Sequence, residues 1–280
     1  MRLLLAVVIL LFSLPAGLHA AVYTLTKVDE RVYAAVVDPS GAAASNAFIV
    51  VTPTYVVVAG AHFTAEATAE ITRIIAGVTP LPLRYVVLTH HHQGYSANDF
   101  DFPPTVEIIT STQTGTKLKT EQRTLKNQVI TFDKGLAIHG GKQKILLNSM
   151  EAGHSVGDVA LYLPDQAVLF TSDLFFNDEA GFMGDGSARG WVQDLQLLEN
   201  LVVTRVVPGR GDVTDSAGLR RFRMFLQEFF TEVLGHVERG ESAEETVRSF
   251  SLPAEKAPPN FSRYQRENVE WAWRELQQRR

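Results

Sequence analysis

The chain has 280 residues, 45% of them apolar and 20% charged, and its net charge is −5. This is ample apolar material for one or two cored domains, which excludes a disordered chain, and the acid surplus argues against a protein built to hold nucleic acid. With Cys 0 there is no disulfide, cysteine nucleophile or thiolate metal site, so any metal must sit on histidines and carboxylates.

Residues 1–20 read MRLLLAVVILLFSLPAGLHA. Arg2 precedes the apolar run 3–14, a Pro-Gly break follows, and Ala20 ends the segment. This is the layout of a secretory signal, and the run is shorter than the ~20 residues that span a bilayer. Cleavage after Ala20 is expected, which gives a periplasmic or secreted protein with no membrane span in the mature chain.

Strands are expected at 22–26 and 31–37, then a hairpin of 47–52 and 55–59 around Pro53-Thr54. Residues 65–76 change to helical spacing, with Ile71, Ile74 and Ile75 on the apolar face and Gly77 as the stop. Buried strands are expected at 83–88 and 106–110, a polar helix at 112–125, and short strands at 129–132, 136–139 and 144–147. A further hairpin joins 159–163 to 167–170. Then come a helix at 192–201, a strand at 205–207 and a long amphipathic helix at 218–238. Ser242 and Glu245 form a capping box, Pro253 to Pro259 is proline-rich, and 264–277 is a last helix bearing Trp271 and Trp273. Interleaved strands and helices of this kind imply an α/β protein of sheets covered by helices. The core domain is expected over 21–240, with a helical tail over 241–280 that packs back on it.

His90, His91 and His92 follow the strand at 83–88 directly. In an extended exit alternate residues share a side, so His90 and His92 point together and His91 turns away. His154 lies in a glycine-flanked loop, Asp173 follows the strand at 167–170, and Arg210 follows the strand at 205–207. Ligands of layered α/β proteins gather at the carboxyl ends of strands, which makes His90, His92, His154 and Asp173 candidates for one site. Three imidazoles and a carboxylate suit zinc, and suit iron or manganese less exclusively. His62, His139 and His236 read as ordinary surface or satisfied core histidines.

Together these segments resemble the metallo-β-lactamase fold superfamily of hydrolases. That family has T-H-x-H-x-D-H after a strand, then G-H-T-x-G-S, L-F-x-G-D and P-G-H-G. This chain has THHHQGY from Thr89, GHSVGD from Gly153, LFTSD from Leu169 and PGRG from Pro208. The resemblance runs from about Asn46 to Asp212. It implies an αββα four-layer sandwich and, in intact members, two metals. The first would be held by His90, His92 and His154, and Asp173 would bridge to the second. Ligands private to the second metal are replaced here by Gly94, Tyr95 and Arg210, and Val58 stands where the aspartate of D-T-G would be, so one zinc ion is expected. Glycine offers no ligand, tyrosine is a poor one at neutral pH, and arginine cannot be deprotonated.

The segments FMGDGSARGW (182–191) and NVEWAWREL (268–276) look like a periplasmic branch associated with quinoprotein alcohol oxidation systems, for which a quinoprotein or cytochrome is the expected partner. The resemblance implies a mononuclear zinc hydrolase acting on a small-molecule substrate. Asp173 would orient or deprotonate water, Tyr95 would donate to an oxyanion, and Arg210 would hold a substrate carboxylate or phosphate. The competing expectation is a catalytically degenerate binding or accessory protein of the periplasm, and a redox enzyme using iron on the same residues is a third.

Overall fold

A computed structural model describes residues 22–38, 43–92, 102–120 and 125–278. Residues 1–20, expected to be a signal, and Gly94 and Tyr95 lie outside the described residues.

The first sheet has seven strands in chain order: β1 (Tyr23–Asp29), β2 (Val32–Val37), β3 (Ala47–Val51), β4 (Val56–Gly60), β5 (Leu83–Leu88), β6 (Glu107–Ser111) and β7 (Val129–Phe132). β1 to β4 pair antiparallel through short turns. From β4 to β7 the pairing is parallel, which requires crossovers. α1 (Ala65–Val78) lies between β4 and β5 in the chain, and α2 (Thr112–Thr120) between β6 and β7. The second sheet, in the order β12-β11-β10-β9-β8, comprises β8 (Gly135–Gly140), β9 (Gln143–Ser149), β10 (Val159–Leu163), β11 (Val168–Phe176) and β12 (Arg205–Arg210). β11 and β12 are parallel, and α3 (Ala188–Glu199) lies between them in the chain.

Three apolar clusters explain the layers. Val36, Phe48 and Val57 of the first sheet meet Leu161 and Phe170 of the second, where the rings of Phe48 and Phe170 stack at 5.2 Å. Ile71 and Ile75 of α1 and Leu118 of α2 cover the outer face of the first sheet. α3 and α4 (Ser216–Glu238) cover the outer face of the second through Trp191, Leu195, Phe222 and Phe229. The expected αββα sandwich is therefore the observed architecture, and burial on both faces accounts for the nearly unbroken apolar runs in the central strands.

The tail packs back as expected. α5 (Ala243–Ser249) opens with the Ser242–Glu245 capping box. A 3-10 turn at Phe261–Arg263 leads into α6 (Gln265–Gln277). Phe261, Val269 and Ala272 join the α3–α4 cluster, and Trp273 Nε1 donates to the Glu241 carbonyl at 2.9 Å. None of the described helices is long and apolar enough to cross a membrane.

Some boundaries differ from expectation. α1 runs through Gly77, because the Thr79 N–H still bonds to the Ile75 carbonyl. α3 begins at Ala188, where Ser187 caps the Gly190 N–H. Most consequentially, β11 does not stop at Phe170. Its register shifts between Phe170 and Ser172, Ser172 has φ 48°, and the strand continues to Phe176. Asp173 thus sits within a strand and not in a loop after one, and Arg210 is the last residue of β12. An irregularity of this kind re-aims side chains at a strand edge.

Candidate metal centre

Because β4 and β5 are parallel neighbours, their carboxyl ends emerge side by side. His62 follows β4, and His90 to His92 follow β5. The Thr89 N–H bonds to the Gly60 carbonyl at 3.0 Å, while the Thr89 carbonyl accepts from Val159 N–H at 2.7 Å. The exit of β5 is thereby tied to both sheets. His154 reaches the same edge from the β9–β10 loop, and Asp173 reaches it from the irregular half of β11.

His92 Nδ1 lies 2.8 Å from His154 Nε2. The His90 ring centroid is 5.1 Å from that of His92 and 5.0 Å from that of His154. One ligand atom from each of the three falls within 4.8 Å of the others, which brackets the roughly 3.3 Å between nitrogens on a tetrahedral zinc. His90 Nε2 is buried without a hydrogen-bond partner, an orphaned donor or acceptor of the sort that a cation satisfies. The donor set therefore fits a metal.

Electrostatics keep two of these rings in the ligand form. Burial, then the neighbouring His154 and His92, hold His90 well below the usual histidine range. Burial, then His92, brings His154 down to about 3. Both rings are neutral at pH 7, as metal ligation requires. His92 is oriented by Asp185, whose carboxylate accepts from His91 Nε2 at 2.8 Å and His92 Nε2 at 3.3 Å. These hydrogen bonds hold Asp185 well below the ordinary carboxylate range. A proton on His92 Nε2 leaves Nδ1 as the lone pair facing His154, which is the carboxylate–histidine arrangement typical of metal sites. His91 does not turn away from His92 as expected: their ring centroids lie 4.6 Å apart and both reach Asp185, because the chain leaves regular strand at Thr89 and the alternation of an extended chain ends there.

Asp173 joins a different set, with His62 and His90. Its Oδ2 lies 3.3 Å from His62 Nε2 and 3.7 Å from His90 Nε2. Burial raises this carboxyl, but the His62 hydrogen bond, then His62, His154 and Arg210 charge interactions, leave it below its ordinary value. Arg210 lies alongside, where Nε donates to Glu179 Oε2 at 3.1 Å and Nη1 to the Ala44 carbonyl at 2.7 Å. His62, His92, His154, Asp173 and Arg210 line a cavity of about 150 Å³ that also meets Phe182 and Tyr264. A larger cavity of about 430 Å³ lies against α4 and the proline-rich stretch, but no histidine lines it.

The family model of the metallo-beta-lactamase superfamily matches residues 40–210. The chain belongs to the metallo-beta-lactamase superfamily. Its structure is similar to that of a metallo-beta-lactamase from Pontibacter korlensis, at 24% identity and TM-score 0.62 over 73% of this chain and 99% of that one. It is also similar to VMB-1 at pH 5.5, at 21% identity and TM-score 0.63 over 75% and 99%. A third likeness is to the DIM-1 metallo-beta-lactamase exposed to ceftazidime, at 18% identity and TM-score 0.60 over 74% and 97%. At such identities the likeness is one of fold. No curated protein matches the chain.

The metallo-beta-lactamase motifs locate His90, His92 and His154, whereas His62 and Asp185 escaped the sequence reading. His62 carries one faint sequence signal, a histidine just past a strand that neighbours the strand before His90. Asp185 lies in FMGDGSARGW, and nothing local in that run points it at a histidine.

Proposed function

We propose that the protein is an exported, mononuclear zinc hydrolase of a small-molecule substrate. The observation that carries this reading is the 2.8 Å approach of His92 Nδ1 to His154 Nε2 beside the unpartnered Nε2 of His90. A zinc ion held there by His90, His92 and His154 would supply Lewis acidity and a water of lowered pKa.

The chain's own residues do the remainder. His90 and His154 offer neutral rings, and Asp185 holds the His92 proton on Nε2. Asp173 is ionised at neutral pH and borders the cavity, so it orients a water or accepts its proton. Arg210 places a guanidinium where a second cation would otherwise sit and faces a substrate carboxylate or phosphate. Tyr95 is proposed as the hydrogen-bond donor to the developing oxyanion. On this reading the second metal position is lost, because Gly94 and Arg210 supply no ligand and Tyr95 a poor one, and Val58 is a buried strand residue paired with Ile49. Export to the periplasm follows the signal-like residues 1–20, and a quinoprotein or cytochrome is the proposed partner there.

Elemental analysis of the purified mature protein tests this reading, with about one zinc per chain expected. Two equivalents would overturn the lost second site. No metal would overturn the hydrolase and leave the binding or accessory role. Hydrolysis of ester, lactam, thioester and phosphoester substrates, lost in His154→Ala, then identifies the bond cleaved.

A further inference from the structure

The C-terminal helix lies outside the region that the family model matches, yet one of its side chains reaches the metal centre's supporting loop. Asn268 of α6 is 0% exposed. Its Nδ2 donates to the Gly181 carbonyl at 2.9 Å, and its Oδ1 accepts from the Met183 N–H at 2.9 Å. Buried backbone groups must be paired, and here the amide of a distant helix pairs two of them. The segment it grips leads straight into Asp185, whose N–H bonds to the Met183 carbonyl at 3.1 Å.

The far end of that segment is confined as well. A Cβ on Gly186 would lie 1.7 Å from the Gly153 carbonyl oxygen, and one on Gly181 would lie 2.4 Å from the Phe176 ring. Ser187 N–H bonds to the Ala152 and Gly153 carbonyls at 3.2 and 3.3 Å, next to His154. With both ends held, the position of Asp185 is determined, and Asp185 in turn holds His91 and His92.

We propose that Asn268 is a positioning residue of the metal centre, and that the C-terminal helix sets the imidazole of His92 through Asp185. This rests on the reading that His90, His92 and His154 hold the ion. A tail that merely packs on the body would make Asn268 a tether for α6 and nothing more. The two roles differ in what they move. A tether affects the stability of the whole chain, whereas a positioning residue affects the ion's affinity and ligand field. Orienting partners of metal-bound histidines are worth about 10–100-fold in metal affinity.

The test uses the full mature chain. Metal affinity is read by chelator competition with zinc, and the ligand field by the visible spectrum of the cobalt(II) form. Asn268→Ala and Asp185→Ala are each expected to weaken zinc binding by about 10–100-fold and to shift the cobalt bands alike. The double variant should be no weaker than the worse single one, because both act through one path. Val269→Ala, which trims the same buried helix face, should lower the melting temperature while leaving affinity and spectrum unchanged. Asn268→Ser is run beside Asn268→Ala in case the alanine variant fails to fold. Wild-type affinity and spectrum in a folded Asn268 variant would overturn the proposal, as would additive losses in the double variant. The imidazole nitrogen shifts of the metal-free protein report the His92 tautomer without any ion. If the wild type takes up no zinc, the proposed function fails, while a changed His92 tautomer in Asn268→Ser would still support the positioning role and an unchanged one would overturn it.

Discussion

His62 and Asp173 are 111 residues apart in sequence, yet His62 Nε2 lies 3.3 Å from Asp173 Oδ2 with both side chains buried. The pair joins the end of β4 in one sheet to β11 in the other, across the edge where the candidate ligand histidines converge. Asp173 Oδ1 has no partner, so the imidazole is the chief support of a buried charge. His62→Ala should destabilise the fold by about 1–3 kcal/mol, the cost of a buried group left unsatisfied. Urea unfolding would measure this. Adding Asp173→Asn should recover part of the loss, because the unsupported charge is removed, and a purely additive double variant would contradict that account.

Trp191 is fully buried and stands edge-on to His154, with ring centroids at 5.3 Å, and its Nε1 donates to the Leu174 carbonyl at 2.8 Å. Trp191→Ala should cost roughly 3–5 kcal/mol from the cavity it leaves. Trp191→Phe keeps a ring against His154 and should cost nearer 1 kcal/mol, mainly the lost hydrogen bond. Equal melting temperatures for the two variants would refute this division.

Burial pushes the Asp158 carboxyl up to about 8 despite two hydrogen bonds from Ser155, and raises Asp194 to about 7. A folded pKa above the unfolded one means that the native protein keeps protons which the unfolded chain releases. Stability is thus greatest below the unfolded value and declines as pH rises toward 8. The depressed pKa of His154 acts in the opposite sense, but only between about 3 and its unfolded value near 6.5. From pH 6.5 to 8 stability should fall, by at most about 1.4 kcal/mol per pH unit for Asp158. Asp158→Asn should flatten that slope in unfolding curves recorded across this range.

Arg210 stands where the superfamily motif carries a histidine, and Gly94 where it carries an aspartate. On the proposed one-zinc reading, restoring both, as Gly94→Asp with Arg210→His, should raise the zinc content toward two ions. Mass spectrometry under native conditions reads the stoichiometry directly. A restored variant that still takes up one ion would break the correspondence between these residues and the second metal position.

The layered fold and the three histidines were legible in the sequence. Strand runs such as 83–88 and 159–163 announce themselves by apolar continuity, and the capping box at Ser242 is a local pattern. Such features depend on neighbours a few residues away. By contrast, the continuation of β11 past Phe170 depends on a register shift against β12, which no local pattern encodes.

His62, Asp185 and Asn268 mark the limit of that legibility. His62 gains its role because β4 and β5 lie side by side with β11 across the edge, so that Asp173 meets it. Asp185 faces His92 because the loop between β11 and α3 is wedged against Gly153, and Asn268 reaches that loop because α6 folds back onto α3 and α4. Chain order and residue type determined a layered α/β fold, and the motif resemblance added the sandwich and the candidate ligand histidines. Which groups surround those ligands was decided only by long-range closure, since hydrogen bonds between distant segments exist only once the sheets and helices have packed.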